Sequence, residues 1–213
     1  MKKTGVFLFV LICFATQNVY GDARFNEFKA KAEKGNVQAQ IAMGTYYYQG
    51  RGVPQNFEQA LMWYTKAAEQ GNAGAQTRVG EMCYGGKGTT QNYKEALKWY
   101  TMAAMQGSSV AQNNLGVMYN NGRGVPKNFQ EAINWYRQAA VQGNPVAQRN
   151  LGGMYSSGQG IVTDYIAAYM WFSLAGAQGD KQALQSRTEV AGKMTPAQIE
   201  EAKRLVTDWQ EKH

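Results

Sequence analysis

The sequence predicts an all-α solenoid of stacked helix pairs. Three observations predict it: an uninterrupted 36-residue repeat, two apolar stripes of helical period in each copy, and helix-ending residues at the joints. The copies are residues 36–71, 72–107, 108–143 and 144–179. Aligned, they give columns at Ala39/Ala75/Ala111/Ala147, Gly44/Gly80/Gly116/Gly152, Gly52/Gly88/Gly124/Gly160, Trp63/Trp99/Trp135/Trp171 and Gly71/Gly107/Gly143/Gly179. A unit of this size buries its apolar face only against its neighbours, so atypical units are expected at both ends. Such an array offers a long surface, which makes binding the default expectation.

The elements follow in chain order. Lys2 and Lys3 precede an apolar run, Gly5–Ala15, that is too short to span a bilayer, and Val19 and Gly21 are small residues of the kind a signal peptidase reads. Residues 1–21 are therefore expected to be a signal peptide cleaved before Asp22, giving a periplasmic or secreted bacterial chain with no membrane span. A lipid on Cys13 is not expected, because Ile12 stands where a small residue is wanted. Residues 22–213 are expected to form a single solenoid domain. It begins with a capping helix over 22–35, in which Phe25, Phe28 and Ala32 match Leu61, Tyr64 and Ala68 of a second helix.

Within a repeat, Ala39, Met43, Tyr46 and Tyr47 mark the buried stripe of the first helix, and Ala60, Trp63, Tyr64, Ala67 and Ala68 that of the second. Gly71, Gly107 and Gly143 lie where a helix ends in a left-handed residue. Asn72, Ser108 and Asn144 follow as N-caps, with Pro145 at a first helical position. Asn56, Asn92 and Asn128, each followed three residues later by Gln59, Glu95 or Glu131, read as capping boxes, and Asp164 keeps the cap without the partner. The linker Gly50-Arg51-Gly52-Val53-Pro54 is a tight interhelical turn. Its relative at Gly86-Lys87-Gly88 lacks the Ser or Thr and the preceding strand of a phosphate loop. After the last repeat, Asp180–Gly192 reads as one more first helix. Thr195-Pro196 with Gln198 then opens a final helix, so residues 180–213 are the C-terminal cap.

Composition narrows the function. The net charge of +7 falls to +5 without Lys2 and Lys3, and no basic run accompanies it, so nucleic acid is not an expected partner. Cys83 is the only thiol after Cys13 leaves; it occupies a position that is Tyr47, Tyr119 and Tyr155 elsewhere, which favours a buried apolar role. The single histidine is His213, no Ser-x-x-Lys motif exists, and no Cys/His cluster has metal-ligand spacing. No enzyme activity, metal or cofactor is expected.

The columns resemble the Sel-1-like repeat family, relatives of the tetratricopeptide repeats. The pattern is fullest at Ala111, Leu115, Gly116, Tyr119, Gly122, Gly124, Val125, Ala132, Trp135, Tyr136, Ala139, Ala140 and Gly143. Cys83, Thr89, Ile161, Phe172 and Gly176 depart from it. The resemblance implies a right-handed superhelical α/α solenoid used as an adaptor or scaffold, and it extends over residues 36–179. In tetratricopeptide-like stacks the first helix of each pair lines a concave groove. That implies a partner surface at Ile41, Thr45 and Tyr48 in the first repeat and Thr77, Glu81 and Tyr84 in the second. In the third it implies Asn113, Val117, Asn120 and Asn121, and in the fourth Arg149 and Ser156.

The expected function is an exported scaffold that holds a peptide or protein in this groove, of an oligomeric state the sequence does not fix. The alternative from another class is an envelope structural protein that binds cell-wall glycan. Aromatic residues at 12% suit sugar stacking, but all five tryptophans fall on faces expected to be buried. A β-lactam-binding hydrolase, as suggested for cysteine-rich relatives, lacks its serine motif here.

Overall fold

The computed structural model describes residues 24–212, and among them every regular element is a helix. Helix α1 covers residues 24–33. The four repeats contribute α2 (Val37–Gln49) and α3 (Phe57–Glu69), α4 (Ala73–Gly85) and α5 (Tyr93–Met105), α6 (Ser109–Asn121) and α7 (Phe129–Val141), and α8 (Pro145–Ser157) and α9 (Tyr165–Ala177). α10 (Lys181–Ala191) and α11 (Pro196–Lys212) follow. The signal peptide and Asp22 cleavage read from residues 1–21, Cys13 and His213 lie outside the described residues. The chain divides into two compact units between Ala96 and Leu97, within α5. In the first, α2 packs on α3 and α3 on α4; in the second, α6 to α10 pack each on the next and α11 returns to α9. This is the all-α solenoid pattern.

Each repeat helix has 13 residues, and the caps explain why. Asn36, Asn72, Ser108, Asn144 and Asp180 each accept a hydrogen bond from the amide three residues on, that of Ala39, Ala75, Ala111, Ala147 or Ala183. Such a cap contributes about 1 kcal/mol by satisfying a helix-end donor. Gly71, Gly107 and Gly143 end the second helices at φ +88°, +88° and +83°.

The capping boxes need correcting. Asn56 and Asn128 do cap α3 and α7 through their side chains. Their own amides, however, donate to the carbonyls of Tyr47 and Tyr119 at 2.9 Å, leaving no role for the reciprocal Gln59 and Glu131 side chains. The last turn of each first helix has carbonyls without intrahelical donors, and these take the amide first. At the start of α11 the reciprocal pair does form: Thr195 N donates to Gln198 Oε1 at 2.8 Å, and Gln198 N to Thr195 Oγ1 at 3.3 Å.

The core follows the two stripes. Ala60, Trp63, Tyr64, Ala67 and Ala68 are buried together on α3, as are Ala39 and Met43 on α2, while Phe25 of α1 meets Tyr46 and Tyr47 edge-on at 5.7 and 5.8 Å. The tryptophan column is uniform in identity but not in exposure. Trp63, Trp99 and Trp171 are buried, whereas Trp135 and Trp209 are half-exposed; Trp209 sits on the last helix with the Trp171 ring, 5.0 Å away, as its cover.

A buried polar ladder runs through this apolar stack. Gln40 Nε2 donates to Ala32 O at 3.2 Å, and Gln76, Gln112 and Gln148 repeat the bond to Ala68, Ala104 and Ala140. Gln70 then donates to Gln40 Oε1 at 2.7 Å, Gln142 to Gln112 at 2.7 Å and Gln178 to Gln148 at 3.0 Å. Each amide joins the end of one second helix to the next first helix. Leaving such a buried group unpaired costs about 1–3 kcal/mol, so the ladder fixes one register between helices.

In the Gly52/Gly88/Gly124/Gly160 column, close approach adds to the turn at Gly88 and Gly160. A Cβ on Gly88 would stand 2.3 Å from Phe57 O, and one on Gly160 2.5 Å from Phe129 Cβ, each in the preceding repeat. Gly52, the first of the column, has nothing within 4 Å.

Candidate binding grooves on the first helices

Each unit carries an open groove on its first helices, floored by an aromatic ring from a second helix. Gly44 and Gly116 make the floor possible. A Cβ there would lie 2.6 Å from the Tyr64 ring or 2.5 Å from the Tyr136 ring, so only glycine lets the ring pass between first helices. Gly152 does the same for Phe172, at 2.8 Å.

In the first unit the groove is about 490 Å³ and lies between α2 and α4. Thr45, Tyr48 and Gln49 line it from α2, Arg78, Glu81 and Met82 from α4, and Lys87 from the linker, over Tyr64. Lys87 Nζ donates to Tyr48 OH at 2.6 Å, and Arg78 Nη1 pairs with Glu81 Oε2 at 2.8 Å. Thr45 Oγ1 donates to Ile41 O at 3.0 Å, so its 2.9 Å contact with Tyr64 OH takes the phenolic proton. Burial pushes the Tyr64 phenol up, and the bonded Glu81 carboxylate holds the Arg78 guanidinium charged.

The groove of the second unit, about 360 Å³, is richer in amides and hydroxyls. Asn120 of α6, Arg149, Asn150, Gly153, Ser156 and Ser157 of α8, and Glu189 of α10 line it, with Lys193 beyond, above Tyr136 and Phe172. Arg149 is held: Nη1 pairs with Asp180 Oδ2 at 2.7 Å, while Asp180 Oδ1 caps α10. Asn150 Nδ2 donates to Asn113 Oδ1 at 3.0 Å. Asn120 Oδ1 is shielded from solvent and accepts no hydrogen bond.

Six residues expected at a partner surface line these grooves: Thr45, Tyr48 and Glu81 in the first, Asn120, Arg149 and Ser156 in the second. The other six lie elsewhere. Thr77 and Asn113 are buried, although Arg149 of the same column lines the second groove; Thr77 bonds back to Ala73 O and Asn113, 7% exposed, accepts from Asn150. Val117 packs on the core, Tyr84 stands edge-on to Tyr93, and Asn121 donates to Val117 O. Ile41 is half-buried and away from the groove.

Sequence reasoning missed Arg78 and Asn150, which share the column after 41, Lys87 in the linker, and the floor rings. The floor had a signal: a uniform glycine inside a helix, opposite a uniform aromatic, marks a passage for the ring. Among the described residues no group of three His, Cys, Asp or Glu side chains is placed to hold a metal, and no helix is long and apolar enough to cross a membrane. Cys83 is a buried free thiol.

Four consecutive segments, 37–72, 73–108, 109–144 and 145–180, match the Sel1 repeat model. They start one residue after the blocks read above, a shift without consequence in a cyclic pattern. Among solved structures, the chain is similar to a protective antigen present in uropathogenic Escherichia coli strains that displays an SLR fold. Identity is 37% over 88% of this chain, with a TM-score of 0.83, and the match spans only 40% of the antigen's chain. A Sel1 repeat protein from Oxalobacter formigenes is 32% identical over 84% of this chain and 75% of its own, with a TM-score of 0.76. No curated protein matches the chain.

Proposed function

Because the chain belongs to the Sel1 repeat family, we propose that it is a non-catalytic scaffold whose first helices hold a peptide or protein partner. One observation carries the reading: the groove walls are built from columns that change between repeats, over columns that hardly change. Thr45, Glu81 and Gly153 share a column, as do Tyr48, Asn120 and Ser156, while Gly44, Gly116 and Gly152 beneath are invariant. Packing must be alike in every unit; walls are free to match a partner. The Asn120 amide on the groove wall suits an extended peptide, since its side chain can both donate to and accept from a backbone.

The scaffold is proposed to work outside the cytoplasm, in the periplasm or secreted, after removal of residues 1–21. The similar Escherichia coli protein is described as a protective antigen, and antibody reaches proteins displayed or released by a cell.

The test is capture of a partner from an envelope extract, beside sedimentation with purified cell-wall glycan. Affinity for the captured protein is then measured with Asn120→Ala, which should weaken binding by about 1–2 kcal/mol, or roughly tenfold. Unchanged affinity in a variant with an unchanged melt rejects the α6/α8 groove. Co-sedimentation with glycan and no captured protein replaces the reading by the glycan one.

A further inference from the structure

The groove between α2 and α4 carries donors and charge that a general peptide site does not require. Lys87 spends one N–H on Tyr48 OH, which leaves two on the ammonium and frees the phenolic proton of Tyr48 to donate outward. Arg78 uses Nη1 on Glu81, and the rest of its guanidinium fork is uncommitted. Against these donors the groove sets one carboxylate, Glu81, whose Oε2 is already taken. Two cations and one anion leave it one positive charge. Met82 and the Tyr48 and Tyr64 rings supply apolar atoms beside that charge.

We propose that this groove binds the side-chain carboxylate of an extended acidic peptide, with Arg78 and Lys87 as ion partners and Tyr48 OH as the third donor. The proposal rests on the reading that the first helices hold a peptide. A segment crossing from α2 to α4 continues through the groove, so it presents a side chain there and not its own terminus. A phosphate would bring close to two negative charges beside Glu81, whereas a carboxylate matches the single net charge. Glu81 is a positioning residue: it holds Arg78 over the groove and opposes a second negative charge.

The experiment titrates isotope-labelled protein with acetyl-Leu-Glu-Leu-amide, following backbone amides of α2 and α4 by NMR. Acetyl-Leu-Gln-Leu-amide, the same Gln peptide with a free C-terminal carboxylate, and inorganic phosphate are the other probes. The Glu peptide is expected to bind about tenfold more tightly than each of these, the difference charge-assisted hydrogen bonds make. Arg78→Gln and Lys87→Gln, both at exposed positions, should reduce it to the level of the Gln amide. Glu81→Gln should tighten it about threefold by removing the opposing charge. Equal binding of the Glu and Gln amides overturns the carboxylate site while the peptide groove stands. Tighter binding of the free acid or of phosphate overturns it in favour of a terminus or a phosphoryl group. Absence of α2 and α4 shifts with every probe overturns it outright, and the Asn120→Ala measurement in the other unit decides the general reading independently.

Discussion

The two grooves have the same floor and different walls. In the first unit Tyr64 rises past Gly44 and gives its hydroxyl to Thr45; in the second Phe172 rises past Gly152, with Gly153 where Thr45 would be. Hydroxyl and acceptor have gone together, so this exchange leaves no threonine or phenol hydroxyl without its partner. The walls diverge further: charge and phenols around Arg78, Glu81 and Lys87 in one, amides and hydroxyls around Asn120, Asn150 and Ser156 in the other. The repeat constrains what a ring must pass through, and leaves open what that ring is surrounded by.

The largest expected effect tests whether equivalent columns carry equal weight. Trp63→Ala in the first unit should cost about 3–5 kcal/mol, the usual figure for emptying a buried indole site. Trp135→Ala in the second should cost clearly less, because that ring is half-exposed. Equal losses in two chemical denaturation series would mean that exposure does not set the contribution of this column.

Next comes a pair of adjacent glycines with opposite expected signs. Gly152→Ala forces a Cβ to 2.8 Å from Phe172 and should destabilise by about 1–3 kcal/mol. Gly153→Ala meets nothing within 4 Å and should stabilise α8 by about 0.5–1 kcal/mol. Melting curves of the two variants sharpen the distinction between floor and wall; a shift of the same sign in both would remove it.

A smaller contrast lies within α6. Asn113→Ala breaks a part-buried bond from Asn150 and should cost about 1 kcal/mol. Asn120→Ala should stay within about 0.5 kcal/mol, its effect falling on binding instead. The smallest effect concerns Cys83, whose thiol is pushed up by burial and then by the Glu95 charge. A raised value in the folded state favours the neutral thiol, so its contribution to stability is complete below the ordinary thiol pKa and fades as pH rises through the folded value. Alkylation at neutral pH should therefore be slow in the folded protein and fast in denaturant; equal rates would show the thiol to be open.

Helix pairs, N-caps and left-handed glycines were legible because each depends on residues close in sequence. Asn72, Ser108 and Pro145 act where local rules put them. The capping boxes at Asn56 and Asn128 were half legible, since their amides are claimed by carbonyls nine residues back that a local rule does not consider. The glutamine ladder was hidden by residue type: a polar amide beside an apolar stripe reads as surface until its partners are seen. For the grooves, half of the residues expected at a partner surface line them, while Asn150, one column beyond Asn113, lies outside the pattern that was read. Tyr64 and Tyr136 escaped because a residue on a buried stripe was assumed to touch only the core.

The glutamine joints also decide how such a chain can change length. Gln112 meets Ala104, and 36 residues later Gln148 meets Ala140 in the same way. Deleting residues 108–143 would bring Gln148 to Ala104 and remake the joint unaltered, whereas a deletion one residue shorter would leave the amide facing the wrong carbonyl and turn the following helix by about 100°. Whole units can be gained or lost by duplication and excision with one wall exchanged each time, while partial ones strand buried amides. The array is therefore tolerant of large edits and intolerant of small ones.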